Sequence, residues 1–123
     1  MDHNPEFLNL VNGIKGAVTE CSIEDYLLWK SEHKTMVLVD VREDGEWSNG
    51  HAPQAIHLGK GVIERDIETA YPNKDVCLVL YCGGGFRSAM AADSIQKMGY
   101  SNVTSMDGGF RRWLELGLEV QMP

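Results

Sequence analysis

The sequence is poor in the features that mark several protein classes. It has three cysteines, Cys21, Cys77 and Cys82, an odd number with no CxxC pair and no framework spacing. A disulfide scaffold is excluded, and the four histidines do not complete a zinc-ligand pattern with them. No metal and no cofactor are expected. Basic residues are outnumbered by acidic ones, 11 to 18, for a formal net charge of −7. That balance lacks the basic footprint on which nucleic-acid binding and adsorption to anionic membranes rest. No stretch approaches the roughly 18 apolar residues of a membrane-spanning helix. The opening MDHNPEFLNLVNG does not join a basic region to a long apolar one, so no signal peptide is expected. With free thiols and no export signal, a reducing cytoplasm is the expected location. Internal repeats, low-complexity tracts and linkers are missing as well.

What is present is an ordinary globular composition, 43% hydrophobic and 24% charged over 123 residues. That length supports one domain with its own core, 1–123, with residues 1–16 as an N-terminal helical extension packed on it. In residues 5–16, Phe7, Leu8, Val11 and Ile14 recur at helical spacing, and Ala17–Glu20 is extended. Ser22 and Asp25 form a capping box ahead of a helix that buries Ile23, Tyr26 and Leu27. Met36–Val41 is a buried strand, Glu46-Trp47 a short helical turn, and Ala55–Leu58 a short strand. A helix over 62–71 stops at Pro72. Asn102–Met106 is a further strand, and a last helix over Gly108–Gly117 buries Phe110, Trp113 and Leu114. Strands alternating with helices indicate an α/β domain: a central, mainly parallel sheet of about five strands with helices on both faces.

The stretch that carries chemistry is 76–99. Val76–Tyr81 is a continuous apolar run, as for a strand buried on both faces. It stops at Cys82, followed by Gly83, Gly84, Gly85, Phe86, Arg87 and Ser88. A helix then begins, with Ala91, Ile95 and Met98 on one face and Gly99 at its end. A cysteine between a buried strand and a helix N-terminus, on a loop almost bare of side chains, suits a reactive thiolate. The loop amides can point inward as an anion nest, and the helix end adds partial positive charge. Arg87 either closes the loop by bonding its carbonyls or faces a bound anion. A tight connection holding an inert cysteine is the plainer alternative.

The polar run after Met36–Val41 places Asp40 and Arg42 at a strand's C-terminal end, where open α/β sheets bind ligands. A buried ion pair is the simpler reading of both, with Arg42–Glu46 a plausible pairing. His51 could form a dyad with the cysteine. Cys77 reads as inert core in mid-strand, Cys21 as a thiol near a helix start, and Trp113 as core.

Three stretches together resemble single-domain rhodaneses over nearly the whole length. They are Asp40-Val41-Arg42-Glu43 continuing through Glu46-Trp47, Gly50-His51 and Ala55-Ile56-His57; Cys82-Gly83-Gly84-Gly85-Phe86-Arg87-Ser88; and Gly108-Gly109 followed by Trp113 and Gly117. Ala52-Pro53-Gln54 departs from the family's usual isoleucine and glycine around the proline. The resemblance implies a sulfurtransferase. Cys82 would take a sulfane sulfur from thiosulfate or a persulfide, hold it as a persulfide, and pass it to a thiol or cyanide acceptor. Gly83 through Ser88 would bind the sulfur and the anionic donor, which is either small or a protein persulfide. Asp40, Arg42, Glu46 and His51 would be structural support.

Two other readings stand beside it. Rhodanese-fold phosphatases and arsenate reductases resemble this chain but carry five residues between cysteine and arginine. Here four intervene, and a smaller amide ring favours one sulfur atom over a tetrahedral oxyanion. The third reading is a non-catalytic sulfide-sensing or interaction module.

Overall fold

The computed structural model describes residues 3–123. Its elements run α1 (Pro5–Lys15), β1 (Thr19–Cys21), α2 (Ile23–Ser31), β2 (Val37–Asp40), α3 (Asp44–Ser48), β3 (Ile56–His57), α4 (Ile63–Ala70), β4 (Leu78–Tyr81), α5 (Phe86–Lys97), β5 (Val103–Met106) and α6 (Gly109–Glu115). The five strands form one sheet in the order β1-β5-β4-β2-β3, every neighbouring pair parallel. This is the α/β architecture expected from the alternation of apolar runs and helical patterns.

Local chemistry explains several boundaries. Ser22 Oγ accepts the Asp25 N–H at 3.0 Å, while the Asp25 carboxylate accepts the Ser22 N–H at 3.0 Å. Two orphan donors of α2 are thereby satisfied. Pro5 sits in the first turn of α1, where its missing N–H costs nothing.

The central strand divides the core. Leu78 and Leu80 of β4 face one layer with Ile63 and Ile67 of α4 and Ala91 and Ile95 of α5. Val79 and Tyr81 face the other, with Ile23 and Tyr26 of α2 and Phe110 and Trp113 of α6. This period of two is what places helices on both sides of a parallel sheet.

Two expectations need correction. Leu114 is exposed, because a helix as short as α6 turns only one stripe inward and Phe110 and Trp113 fill it. Cys77 is half-buried and precedes β4 rather than lying within it.

The strand order positions the site. From β2 the chain moves to β3 on one side, whereas from β4 it moves to β5 on the other. The crevice between the carboxyl ends of β2 and β4 is therefore a topological switch point, the usual ligand position in such sheets. Cys82 and Arg42 both lie just past those ends. Among the described residues, no helix is long and apolar enough to cross a membrane.

Candidate active site

Cys82 follows β4 directly and is buried, and Gly85 caps α5. The Gly85 N–H points back at Cys82 Sγ, 3.0 Å away. Gly85 adopts φ of +104°, and a Cβ there would stand 2.9 Å from Asp107 Oδ1. Both the turn and the close approach demand glycine. On the other side Sγ lies 3.5 Å from Ser88 Oγ, which is paired at 2.8 Å with Ser105 Oγ. The sulfur thus sits at the N-terminus of α5 between a backbone donor and a buried hydroxyl pair.

The carbonyls of the loop are held by α6. The Phe110 N–H donates to Cys82 O at 2.7 Å and the Arg111 N–H to Gly83 O at 3.0 Å. Gly108-Gly109 makes this possible, since a Cβ on Gly109 would collide with Cys82 O and lie 2.8 Å from the Gly83 carbonyl carbon. The double glycine is thus a docking requirement of the cysteine loop.

Arg87 does not bond the loop carbonyls. Its guanidinium is bidentate on Glu46, Nη1 to Oε1 at 2.6 Å and Nη2 to Oε2 at 3.0 Å. The hydrogen bonds from Arg87, against some burial, hold the Glu46 carboxyl below its ordinary range. The same bonds hold the Arg87 guanidinium above its own range, with a further contribution from nearby Cys82.

The expected Arg42–Glu46 pairing is absent. Arg42 folds back on Asp40 instead, Nη2 to Oδ2 at 2.8 Å and Nε to Oδ2 at 3.0 Å. Burial works against the Arg42 charge, but Asp40 outweighs it and the guanidinium titrates above its ordinary range. A second donor from the same Nη2 reaches Gly50 O at 2.7 Å, and the guanidinium lies 4.2 Å from the centre of the Phe110 ring. The Tyr81 hydroxyl donates to Asp40 Oδ2 at 2.7 Å and accepts the Ala52 N–H at 3.1 Å. Burial, then the neighbouring Asp40 carboxylate, pushes the Tyr81 phenol far up. Asp40 and Arg42 therefore form a buried ion pair under the site, as the simpler reading had it, and Tyr81 is a member the sequence reading missed. It closes an apolar run, between Leu80 and Cys82, and so gave no signal of a polar partner.

His51 is held among neighbours outside the cysteine loop. Its ring stacks on Trp47 at 3.6 Å and its Nδ1 lies 2.9 Å from Ala52 O. Its backbone exchanges two hydrogen bonds with Gln121, at 2.9 and 2.8 Å. His57 covers the other stacking contact, 4.9 Å from Trp47, and bonds Arg42 O at 2.8 Å. Trp47 thus stacks with two histidines, and among the described residues the hydrogen-bond partners of Cys82 Sγ are Gly85 and Ser88 rather than either of them.

An open cavity of about 430 Å³ ends on Cys82 and Gly84 and is walled by Phe86, Arg87, Arg111, Phe7 and His3. The last two come from the N-terminal region, which sequence periodicity placed on the outside without linking it to the loop. Among the described residues no group of histidine, cysteine or acidic side chains could hold a metal ion.

Comparison with known proteins places this geometry in context. A family model described as "Rhodanese-like domain" matches residues 24–116. The chain is 28% identical over 97 residues to the "Putative sulfur carrier protein YrkF" of Bacillus subtilis, a match taking in 79% of this chain and 51% of that protein. The chain therefore spans about half the length of that relative. A protein of unknown function from Rhodopseudomonas palustris, described as "Possible Tyrosine Phosphatase", has a TM-score of 0.83 at 27% identity, covering 98% of this chain and 99% of that one. The polysulfide-sulfur transferase homodimer of Wolinella succinogenes has a TM-score of 0.79 at 23% identity, covering 96% and 88% respectively. At that identity the likeness is one of fold.

Proposed function

The chain belongs to the rhodanese-like domain family, and from that premise we propose that it is a sulfurtransferase working through a persulfide on Cys82. The Cys82 thiolate attacks the outer, sulfane sulfur of a donor such as thiosulfate or a persulfide. A new S–S bond forms on Sγ, the donor's own bond to that sulfur breaks, and the remainder leaves with the electron pair. A thiol or cyanide then attacks the outer sulfur of the persulfide, and the Cys82 thiolate leaves.

The observation that carries this reading is the Gly85 N–H aimed at Cys82 Sγ at 3.0 Å, on a buried cysteine that lines an open cavity. A fixed backbone donor at a helix N-terminus stabilises negative charge on the thiolate and requires no reorganisation during reaction. Arg87, through Glu46, braces the loop from the α3 side. Asp40, Arg42 and His51 support the elements around it.

The description of the Rhodopseudomonas relative favours a second reading, oxyanion hydrolysis by the same cysteine. Four residues separate Cys82 from Arg87, and the Arg87 guanidinium is occupied by Glu46. Both facts support one sulfur atom, rather than a tetrahedral oxyanion, as the loop's cargo.

Intact-mass analysis after incubation with thiosulfate or a persulfide tests the proposal. Wild type should gain one sulfur atom that cyanide removes, and Cys82→Ser should gain none. Equal gain and release by Cys82→Ser would overturn it.

A further inference from the structure

The wall of the cavity over Cys82 is partly built by α1, which lies outside the span of the family match. α1 packs against α5. It brings Phe7 edge-to-face on Phe86 at 5.8 Å, and His3 just before it edge-to-face on the same ring at 4.8 Å. Three rings therefore border an opening that Cys82 also lines. Phe86 is itself fixed to the loop, three residues from Gly83 at the start of α5.

Most cationic charge around this opening is already paired: the Lys15 ammonium, 5.3 Å from the centre of the Phe86 ring, is held by Glu20 and Asp107. Of the five arginines, Arg42, Arg65, Arg87 and Arg112 each hold a carboxylate. Arg111 lines the cavity, is exposed, and holds none among the described residues. A Cβ on Gly84 would lie 3.5 Å from Arg111 Nη2, so this guanidinium overhangs the cysteine loop. Its backbone is tied to the loop through Gly83 O.

Resting on the sulfur-transfer reading of Cys82, we infer that the cavity selects an organic sulfane-sulfur donor, with an apolar or aromatic body against Phe7 and Phe86 and one oxyanion group facing Arg111. Size supports this. A cavity of about 430 Å³ lies in the range of pockets for organic ligands. A thiosulfate ion, comparable to a few waters of roughly 30 Å³ each, would leave most of it and all of the aromatic wall unused. Charge supports it too, because a dianion would meet one uncompensated guanidinium in a protein of net charge −7. A monoanion with a ring is matched on both counts.

Thiosulfonates have this chemistry, R–SO₂–S⁻, and their reaction balances without an added reagent. The Cys82 thiolate attacks the terminal sulfur, the S–S bond to the sulfonyl sulfur breaks, and the sulfinate R–SO₂⁻ leaves with the electron pair. The enzyme keeps the persulfide anion.

Loading of Cys82 by benzenethiosulfonate, methanethiosulfonate and thiosulfate, each divided by its rate with free cysteine, tests the inference. Wild type should favour the benzene compound over the methane one by at least about tenfold in corrected kcat/KM, or about 1.4 kcal/mol. Phe7→Ala should erase most of that ratio and Phe7→Tyr should keep it, a contrast that general misfolding would not produce. Arg111→Gln should raise KM for both thiosulfonates at least about fivefold, with Arg111→Lys between it and wild type. Equal corrected rates for all three donors, a preference for thiosulfate, or a ratio that Phe7→Ala leaves untouched would overturn the inference and leave sulfur transfer standing. Failure of every donor to place sulfur on Cys82 would remove the sulfur-transfer reading and this inference together.

Discussion

Arg87 and Glu46, 41 positions apart in the chain, meet through two hydrogen bonds of 2.6 and 3.0 Å. Glu46 Oε1 also accepts the Glu43 N–H at 3.1 Å, closing the first turn of α3. One carboxylate thus ties the segment after β2 to the first turn of α5, across the crevice that contains Cys82. An ammonium lacks the planar, two-nitrogen fork that matches both carboxylate oxygens.

Glu46→Gln and Arg87→Lys should therefore each lower the rate of sulfur loading by roughly three- to tenfold, equivalent to about 0.7–1.4 kcal/mol, while the protein stays folded. Both groups are about one-third exposed, so the stability loss should stay below about 1 kcal/mol. The pH dependence has a definite sign. The folded-state carboxyl of Glu46 titrates below its ordinary value of 4.5. Its contribution is thus present above that value and fades as pH falls through the lower, folded-state value. Denaturant titrations of wild type and Glu46→Gln should converge in acid. A gap that widens below pH 4.5 would contradict the pairing.

The Asp40–Arg42 pair predicts larger effects, because both partners are buried. Arg42→Met leaves an uncompensated carboxylate and should cost about 3–5 kcal/mol. Tyr81→Phe removes the donor to Asp40 and the acceptor of the Ala52 N–H, and should cost about 1–3 kcal/mol. Urea unfolding with unchanged m-values checks both. A Tyr81→Phe variant as stable as wild type would mean that the hydroxyl is dispensable to the network.

How far the sequence revealed this arrangement depends on distance along the chain. The Ser22–Asp25 box, the strand ending at Cys82 and the helix after it are local patterns, and all were legible. Glu46 was legible as one half of an ion pair but assigned the wrong arginine. Arg42 lies four residues before it, a helical spacing, yet α3 starts only at Asp44. Arg42 is therefore free to turn back on Asp40, and Glu46 reaches Arg87 instead. Tyr81 was readable only as a core residue, since its hydroxyl finds partners on two other segments. Phe7 gave a periodic signal for α1, but nothing in that period says that α1 lies beside the cysteine loop. Leu114 failed for the converse reason: helical spacing assigns a face without knowing how much of it is covered.

Cys21 should be silent in thiol chemistry. Burial first, then the carboxylates of Asp25 and Glu20, pushes its thiol up to about 12. At pH 8 the thiolate fraction is then on the order of one in ten thousand, and only the thiolate is nucleophilic. Brief alkylation of the folded Cys82→Ser protein at pH 8, followed by peptide mapping, should leave Cys21 unmodified. Labelling as fast as that of the unfolded chain would overturn this account.

Gly109→Ala should damage the site more than its position outside the cysteine loop suggests. The new methyl group would be driven into Cys82 O and would stand 2.8 Å from the Gly83 carbonyl carbon. Backbone cannot yield as a flexible side chain can, so either α6 or the loop must move. Sulfur loading should fall at least about tenfold, or about 1.4 kcal/mol, and the Phe110 amide that donates to Cys82 O should exchange faster with solvent. An unchanged rate and unchanged exchange would show that the loop does not depend on this contact.

Loop size separates the sulfur reading from the oxyanion one. The ring that closes on Cys82 Sγ contains Gly83 and Gly84, with Gly85 supplying the N–H at 3.0 Å. One glycine inserted between Gly84 and Gly85 enlarges that ring and leaves the flanking strand and helix sequences intact. The Gly85 amide would then no longer be fixed against a single sulfur, and a larger concavity of N–H groups would open beneath Arg111. Removing one well-aimed donor costs about 2.7–4 kcal/mol at other sites of anion stabilisation. Part of that is recovered here because a flexible loop still samples the old geometry. Sulfur transfer should therefore fall by at least about tenfold, near 1.4 kcal/mol, and affinity for phosphate or arsenate should rise. Steady-state transfer kinetics and calorimetric titration with each oxyanion measure the two effects on the same folded variant. Transfer at the wild-type rate would mean that ring size does not govern the chemistry, and the preference for sulfur over phosphate would lose its geometric basis.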